Sequence, residues 1–141
     1  MRAIKLTTAG EVVEISISRK EQLRDLQREV GGYIEIVHAR YLPYPLIMIV
    51  DEDGRLKDYP ENRIASTFYG RQIVGNAVIM KYLETHRGID IVGLYDADFD
   101  TVTLLCGRIT APAQKESRPD ADTSEATEEN NAVSSIAENK R

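Results

Sequence analysis

The chain has 141 residues, a formal net charge of −5 and a single cysteine, Cys106. This length fits one domain, and one cysteine excludes an internal disulfide. The longest apolar run, residues 46–50, is far shorter than the roughly 20 residues that a membrane-spanning helix needs, and no signal-peptide pattern follows Met1. We therefore predict a cytoplasmic protein with no membrane partner.

Charge is unevenly distributed along the chain. Residues 112–141 contain seven acidic and four basic side chains, a net −3, so the other 16 acidic and 14 basic side chains leave −2 for residues 1–111. The C-terminal segment has too few apolar residues to offset the entropy of ordering, which predicts a disordered acidic tail. The nearly neutral remainder lacks the clustered basic excess of a nucleic-acid-binding surface.

The N-terminal part of the chain predicts a β-hairpin followed by a helix. Apolar and polar residues alternate over residues 2–7 and 11–17, as in two half-buried strands joined by a short turn. Apolar residues then recur at helical spacing, and Gly31 supplies a left-handed stop. These signals predict a helix over residues 19–30.

Two features of that helix predict specific contacts. Ser18 and Glu21 form a capping box, in which the serine hydroxyl accepts the backbone N–H three residues on and the glutamate reaches back. Spacing of three residues also predicts the ion pairs Glu21–Arg24 and Asp25–Arg28. We interpret these charges as a solvated face rather than a phosphate-binding ridge.

The middle of the chain predicts a change back to β-structure. Period-two patterning predicts a strand over residues 33–39, and residues 46–50 are apolar on both faces, as in a central strand. An acidic turn at residues 51–54 then leads to a short edge strand over residues 55–59. Residues 60–70 are predicted as an ordered loop.

The last ordered elements include two alternatives. Residues 72–80 predict an apolar strand, and residues 81–88 have no clean period, which fits a loop or one helical turn. Residues 89–94 fit a short strand or a lead-in. A helix is predicted over residues 96–109, with acids in the first turn, although the β-branched residues near 101–103 leave a strand as the alternative.

Together these elements predict a protein of the α+β class. Its single domain covers residues 1–111 and contains a small mixed or antiparallel β-sheet, one well-defined helix over residues 19–30 and a C-terminal helix over residues 96–109. Residues 112–141 form the disordered tail.

An acidic run near the last helix begins like a calcium loop. Asp96, Asp98 and Asp100 stand at alternate positions, but the loop then requires glycine and glutamate where this chain has Thr101 and Gly107. The acidic N-terminus of a helix explains the run without a metal.

Histidine and cysteine give no support for a catalytic or metal site. His38 and His86 have no cysteine or histidine at zinc-ligand spacing. A pair between either histidine and Cys106 would have to form in space, and a buried structural cysteine is the favoured interpretation. We therefore predict no catalytic residue, no metal and no cofactor.

Residues 60–72 contain the one candidate ligand-binding segment. It combines amides, guanidinium groups, hydroxyls and aromatic rings between two predicted strands, where loops held by a sheet often bind ligands. An ordinary polar loop, whose Asn and Ser side chains bond to backbone groups, would have a similar composition and is the favoured interpretation. The predicted ligand-binding residues are Asn62, Arg63, Tyr69, Arg71 and Gln72.

The order of several short motifs resembles domain-of-unknown-function family 3846 across residues 1–109. The motifs are Val30-Gly31-Gly32-Tyr33-Ile34-Glu35, then Asp53-Gly54-Arg55-Leu56 leading to Pro60 and Asn62, and then Ile73-Val74-Gly75-Asn76-Ala77-Val78-Ile79. The resemblance implies an accessory protein of bacterial origin or of a phage or plasmid, with no assigned activity. It also implies that residues 31–33, Asn62 and residues 75–76 belong to a shared surface or scaffold.

These observations favour a non-enzymatic module that binds a host protein or a small ligand. A small-molecule enzyme that uses residues 60–72 is the alternative, although that segment offers only Glu61 and Tyr69 as acid–base groups. The charge disfavours nucleic acid as a partner. Pairing through an exposed strand edge makes a homodimer a further expectation.

Overall fold

The computed structural model describes residues 1–110, and the predicted tail over residues 112–141 lies outside them. The fold belongs to the α+β class, as predicted. Its elements are β1 (Arg2–Leu6), β2 (Val12–Ser16), α1 (Gln22–Val30), β3 (Ile34–Val37), β4 (Leu46–Asp51), a 3-10 turn (Gly54–Leu56), α2 (Arg63–Tyr69), β5 (Ala77–Thr85), β6 (Gly88–Val92) and α3 (Asp96–Thr110).

The sheet is antiparallel throughout, with the order β2-β1-β5-β4-β3. Strand β5 is nine residues long, and β4 pairs with one of its edges over residues 78–81. On the other edge, β1 pairs with residues 77–79 and β6 with residues 81–85, so β1 and β6 lie end to end. All six residues of β4 are buried, which confirms its predicted central position.

Helices cover both faces of the sheet. Leu26 and Val30 of α1 pack on one face, in a core that includes alternate residues of β4 and β5. Phe68 of α2 and Val102 of α3 pack in a second core on the other face. Because successive side chains of a strand point to opposite faces, the apolar sequence of β4 supplies both cores.

The first helix begins at Gln22, so its predicted start at residue 19 is wrong by three residues. The Ser18 hydroxyl accepts a hydrogen bond from the Glu21 N–H (3.2 Å), which confirms one half of the capping box. The other half is different, because the Ser18 N–H donates to the Asp25 carboxylate (2.7 Å). An aspartate one turn further along thus replaces the predicted glutamate, and the residues before Gln22 form a turn.

Both predicted ion pairs of α1 are confirmed. The Arg24 and Arg28 guanidinium groups lie 2.7 Å from the carboxylates of Glu21 and Asp25, respectively. Gly31 ends the helix in the left-handed conformation (φ 97°), as its position predicted.

The predicted loop over residues 60–70 is wrong, because Arg63–Tyr69 forms helix α2. The Asn62 side chain accepts a hydrogen bond from the Ala65 N–H (3.1 Å) and caps the helix. Gly70 ends it in the left-handed conformation. With only seven residues, α2 is too short to show a clear helical period, and tertiary packing supplies most of the stability of so short a helix.

Two predicted strands also need correction. The predicted edge strand over residues 55–59 is wrong, since the chain forms the 3-10 turn Gly54–Leu56 before it becomes extended. The strand predicted over residues 72–80 begins only at Ala77, because Gly75 adopts a left-handed conformation (φ 81°) that interrupts extended structure.

The C-terminal alternatives are resolved by the structure. Residues 81–88 are neither a loop nor a helical turn, because β5 continues to Thr85 and a tight turn leads into β6. The strand alternative for residues 89–94 is therefore confirmed in part. Residues 96–110 form α3, which confirms the helix over the strand alternative. Within the described residues, no helix has the length and apolarity needed to cross a membrane.

Candidate functional site

A cleft of about 300 Å³ opens on the face of the sheet that α2 and α3 cover. Glu35 and Val37 of β3 form one side of it, and residues 50–56 at the end of β4 form the second. Tyr69 and residues 72–74 of the α2–β5 connection form the third. The cleft therefore lies between one end of the sheet and the segment predicted to bind a ligand.

The second side of the cleft is shaped by a tight chain reversal after β4. Gly54 is buried, and a Cβ atom there would lie 3.4 Å from the Val74 side chain. The chain then returns toward the α2–β5 connection, where Glu61 and Val74 form an isolated antiparallel bridge. This close approach places residues 50–56 and 72–74 beside each other at the cleft.

Asp51 lies at the base of this reversal and organises it. Its side chain is 1% exposed and lies 2.6 Å from the Lys57 ammonium group. The Tyr59 hydroxyl donates to the same carboxylate oxygen (3.0 Å), and the Asp53 N–H donates to the other oxygen (2.8 Å). Lys57 also donates to the Gly31 carbonyl (3.1 Å), so the cluster links the reversal to the end of α1.

The pKa of Asp51 shows that this cluster stabilises the charged form. Burial alone raises the pKa of the carboxyl group, but the hydrogen bonds from Lys57, the Asp53 N–H and Tyr59 outweigh burial and lower the pKa below its ordinary value. The hydrogen bond to Asp51 in turn raises the pKa of Lys57. The Asp51 carboxyl group and the Lys57 amino group are therefore both charged at neutral pH.

The absence of a side chain at Gly32 and at Gly75 makes room for this cluster. A Cβ atom at Gly32 would lie 2.6 Å from the Lys57 nitrogen and 2.9 Å from both Asp51 carboxylate oxygens. A Cβ atom at Gly75 would lie 2.7 Å from the Tyr59 ring. Larger residues at either position would force the cluster to move.

Asn62 lies at the other end of the reversal, and its side chain is fully buried. Its amide nitrogen donates to the carbonyl groups of Leu6 and Gly75 (both 2.9 Å), and its amide oxygen accepts from the Ala65 N–H. In this conformation the Asn62 side chain offers no exposed atom to a ligand, and it joins β1, α2 and the connection that leads into β5.

The structure brings together two of the five predicted ligand-binding residues at the cleft. Tyr69 and Gln72 line it, and Gln72 also lines an adjoining open hollow beside residues 57–60. Arg63 and Arg71 are exposed but line neither cavity, and Asn62 is buried.

The residues that sequence reasoning missed are Asp51, Lys57 and Tyr59. One signal could have found Asp51, because it directly follows five apolar residues of a buried strand. A charged residue so placed needs a partner close by.

Three acidic side chains surround the cleft in addition to the paired Asp51. Glu35, Glu52 and Asp53 all line it, and within residues 1–110 none of their carboxylates forms an ion pair. Arg55 is the basic side chain on its surface. The cleft therefore has an excess of negative charge that suits a cationic group.

Neither metal binding nor thiol chemistry finds support in the described part of the chain. No group of three histidine, cysteine, aspartate or glutamate side chains in it could hold a metal ion. Cys106 is buried, and burial raises the pKa of its thiol to about 11, which keeps it protonated at neutral pH. The His38 ring packs edge-to-face with Tyr82 (5.1 Å between ring centres). Tyr82 packs on the α1 side of the sheet, whereas Cys106 lies in the core on the other side.

Comparison with known families identifies the chain. The family described as "Domain of unknown function (DUF3846)" matches residues 1–106, so the chain belongs to this family and the resemblance found in its motifs is confirmed. Those motifs lie close together in the structure. Gly32 and Gly75 contact side chains of the Asp51 cluster, Gly54 lies in the adjoining reversal, and Asn62 lies at the far end of that reversal.

The other comparisons concern the fold. No curated protein matches the chain in sequence. A solved structure described as "Crystal structure of small RNA methyltransferase HEN1" is similar, with 15% sequence identity and a TM-score of 0.52. The match covers 76% of this chain and 16% of that one, so this chain spans a small part of the larger protein. At this identity the similarity shows a shared fold and nothing about activity.

Proposed function

We propose that the domain is a non-enzymatic binding module whose cleft binds a positively charged group of a small ligand or partner protein. The observation that carries this proposal is the set of carboxylates of Glu35, Glu52 and Asp53, which surround the cleft without an ion pair among residues 1–110. Asp51 does not compete for the ligand, since Lys57 neutralises it.

The polar and aromatic side chains opposite these acids would orient the bound group. Gln72 is exposed and offers both a donor and an acceptor, and the half-buried Tyr69 also lines the cleft. An aromatic ring beside carboxylates favours ammonium and guanidinium groups, because its face also attracts cations. The family resemblance suggests the setting in which such a module acts, an accessory protein of bacterial or phage and plasmid origin.

Titration with small cationic probes tests the proposal directly. The probes are N-acetyl-lysine methylamide and N-acetyl-arginine methylamide, followed by chemical shifts of the protein amides. We expect the shifts to be concentrated at Glu35, Glu52, Asp53 and Gln72. The uncharged N-acetyl-glutamine methylamide is the matched control, and equal shifts with this probe would contradict the proposal.

A pair of double variants separates the cleft from general negative charge. Glu52→Gln with Asp53→Asn should abolish the shifts caused by the cationic probes. Asp90→Asn with Asp100→Asn changes the net charge equally at exposed positions outside the cleft and should leave them intact. If both double variants lose binding equally, long-range charge rather than the cleft attracts the probe.

Native mass spectrometry of protein purified gently from its own host complements the titration. An adduct of a few hundred daltons that is lost in the Glu52→Gln, Asp53→Asn variant would identify a small ligand of the cleft. A partner protein captured by the wild type and lost in the same variant would identify a protein ligand.

A further inference from the structure

Strand β3 is the last strand of the sheet in the described part of the chain, and it lies along the cleft. It pairs with β4 on one side, and among residues 1–110 no strand pairs with its other edge. We propose that this edge binds an extended segment of a partner protein in which basic and apolar residues alternate, added to the sheet as a further strand. This inference rests on the proposed cation-binding cleft and names the class of partner that uses it.

The backbone groups that face the open edge belong to Ile34 and Ile36. In antiparallel pairs, residues that bond to the neighbouring strand alternate with residues that do not. The Glu52 N–H donates to the Tyr33 carbonyl (2.7 Å), so Tyr33 faces β4, and so do the residues two and four positions further along. The N–H and C=O groups of Ile34 and Ile36 therefore point away from β4, where they are available to an added strand.

The side chains of β3 divide between two surfaces. Glu35 and Val37 line the cleft, and Val37 is buried in the core under α2 and α3. Ile34 packs on the core under α1, and Ile36, two residues further along on the same face, is 38% exposed. A strand added at this edge would alternate in the same way, with one side chain toward the cleft and the next toward Ile36.

Charge selects the residues of the added strand that face the cleft. Side chains directly opposite each other in a sheet interact, with opposite charges favourable and like charges unfavourable. A lysine or arginine opposite Glu35 would therefore be favoured, and its long side chain could extend over the cleft toward Glu52 and Asp53. Glutamate or aspartate at that position would be excluded by the same charges.

The other surface selects apolar residues. An apolar side chain opposite Ile36 would cover an isoleucine that is now partly exposed. The same face continues into an aromatic group, in which His38 and Tyr44 each pack edge-to-face with Tyr82, with ring-centre distances of 5.1 and 5.8 Å. Tyr44 is 74% exposed, so this group would lengthen the apolar side of the binding surface.

The sheet has a second open edge that serves as an internal comparison. The Ile17 N–H donates to the Met1 carbonyl (2.8 Å), so alternation along β2 places the N–H of Val12 on the outer edge. Val12 is 40% exposed, which closely matches Ile36. The acidic residue of β2, Glu14, is already paired with Arg2 (3.0 Å), and neither the cleft nor the adjoining hollow includes a residue of β2. Within β2, therefore, no unpaired carboxylate is left to select a basic partner.

Charge also argues against two other occupants of the β3 edge. Residues 112–141 of the same chain have a net charge of −3 and would meet an acidic surface. A second copy that paired around the centre of β3 would place its Glu35 opposite Glu35 of the first copy. Each of these occupants predicts a result that differs from the binding of a basic strand.

The test uses the full chain and a fluorescein-labelled peptide of about seven residues in which valine and lysine alternate. Fluorescence anisotropy should show binding of this peptide, and no binding of the matched peptide in which valine and glutamate alternate. Only one of the two sets of alternate backbone nitrogens in the valine–lysine peptide can face β3. Methylation of that set should abolish binding, because it removes the donors to the edge, whereas methylation of the other set should leave binding intact. Equal binding of both methylated peptides would overturn the strand geometry.

Two proline variants test the edge itself. Ile36→Pro removes one outward N–H and should weaken peptide binding about ten-fold, whereas Val12→Pro on β2 should leave it unchanged. Proline is tolerated on edge strands where the N–H faces solvent. If circular dichroism shows that Ile36→Pro does not fold, Glu35→Lys replaces it, and this variant should lose the valine–lysine peptide and gain the valine–glutamate peptide.

The outcomes distinguish this inference from the proposed function. If N-acetyl-lysine methylamide still binds the cleft but the peptide is insensitive to Ile36→Pro and Glu35→Lys, strand addition is overturned and the cation site stands. If neither probe binds, both are overturned. If the protein forms a dimer that Ile36→Pro dissociates, the edge binds a second copy of the chain. If the Ile34 and Ile36 amides exchange hydrogen slowly in the peptide-free monomer, the edge binds the chain's own C-terminal segment. Either result overturns the inference.

Discussion

Two buried polar side chains hold the ends of the segment that borders the cleft, and they do so by different physical means. Asp51 precedes the segment and carries a charge, whereas Asn62 follows it and is neutral. Asp51 is neutralised by Lys57, whose side chain is 37% exposed. Asn62 binds only backbone groups, two carbonyls and one N–H, in the interior.

The two side chains stabilise the ends of the segment under different conditions. The partners of Asn62 belong to β1, α2 and the connection before β5, so its contacts depend on the fold alone and not on pH. The main side-chain partner of Asp51 is a flexible lysine close to solvent, so its contribution depends on protonation and on ionic strength. The contribution of Asn62 to stability is therefore independent of pH, whereas that of Asp51, beside the proposed binding site, depends on pH.

The largest expected effect on stability follows from replacing Asn62. Asn62→Ala leaves the carbonyl groups of Leu6 and Gly75 and the Ala65 N–H without their partner in a buried place, which should lower the free energy of unfolding by about 3 kcal/mol. Chemical denaturation measures this loss. Asn76→Ala is the matched control, since the half-buried Asn76 side chain accepts one hydrogen bond from the Thr8 N–H (3.2 Å), and it should cost much less.

Removing the charge of Asp51 should have a smaller effect. Asp51→Asn retains the shape of the side chain and an acceptor for the Asp53 N–H or Tyr59, but it loses the attraction to Lys57. We expect a loss of about 2 kcal/mol at neutral pH, measured by the same denaturation experiment. A loss as large as that of Asn62→Ala would show that the two side chains do not differ as described.

The pH dependence of stability sharpens the comparison further. Because the folded protein lowers the pKa of Asp51, its contribution is fully present above the ordinary pKa of 3.8 and is lost as the pH falls through the folded-state pKa. The stability difference between wild type and Asp51→Asn should therefore be constant at neutral and mildly acidic pH and shrink as the pH falls below 3.8. The difference between wild type and Asn62→Ala should stay constant over the same range, because no proton is involved.

The smallest expected effect concerns the tyrosine beside Asp51. Tyr59→Phe removes one hydroxyl donor and leaves the ring packed against Gly75, so we expect a loss of about 1 kcal/mol. Tyr82→Phe provides the comparison, since the Tyr82 hydroxyl bonds to Glu84 in an exposed place (2.9 Å) and should contribute almost nothing. Thermal unfolding of both variants at neutral pH would rank them, and a larger loss for Tyr82→Phe would contradict this interpretation.

Sequence reasoning located the neighbourhood of the candidate site but not its construction. Residues 60–72 were predicted as a loop with five ligand-binding side chains, and Tyr69 and Gln72 do line the cleft. The segment is a capped helix, and the composition that suggested a loop includes Asn62, which the fold uses as a buried cap. A polar residue between two strands has the same sequence signature whether it caps a helix or binds a ligand.

The Asp51 cluster could not be predicted from patterns along the chain. Asp51, Lys57 and Tyr59 are separated by five and one intervening residues, and no helix or strand period relates them. They meet because the chain reverses around Gly54, whose tight packing against Val74 depends on a segment 20 positions further along the chain. The sequence predicts the turn at residues 51–54, but the path of the chain after Gly54, which brings Lys57 and Tyr59 to Asp51, depends on that distant contact and leaves no local signal.

The sequence by itself determined the elements whose information is local. The apolar run of β4, the stop of α1 at Gly31 and the helical face of α3 each follow from periodicity or from the conformation of one residue, and the structure contains all three. The order of the strands, the open edge of β3 and the acidic cleft beside it were decided only by the tertiary structure. They depend on pairings such as Ile36 with Ile49 and Ile49 with Val78, which join residues far apart in the chain and therefore exist only after the whole sheet has formed.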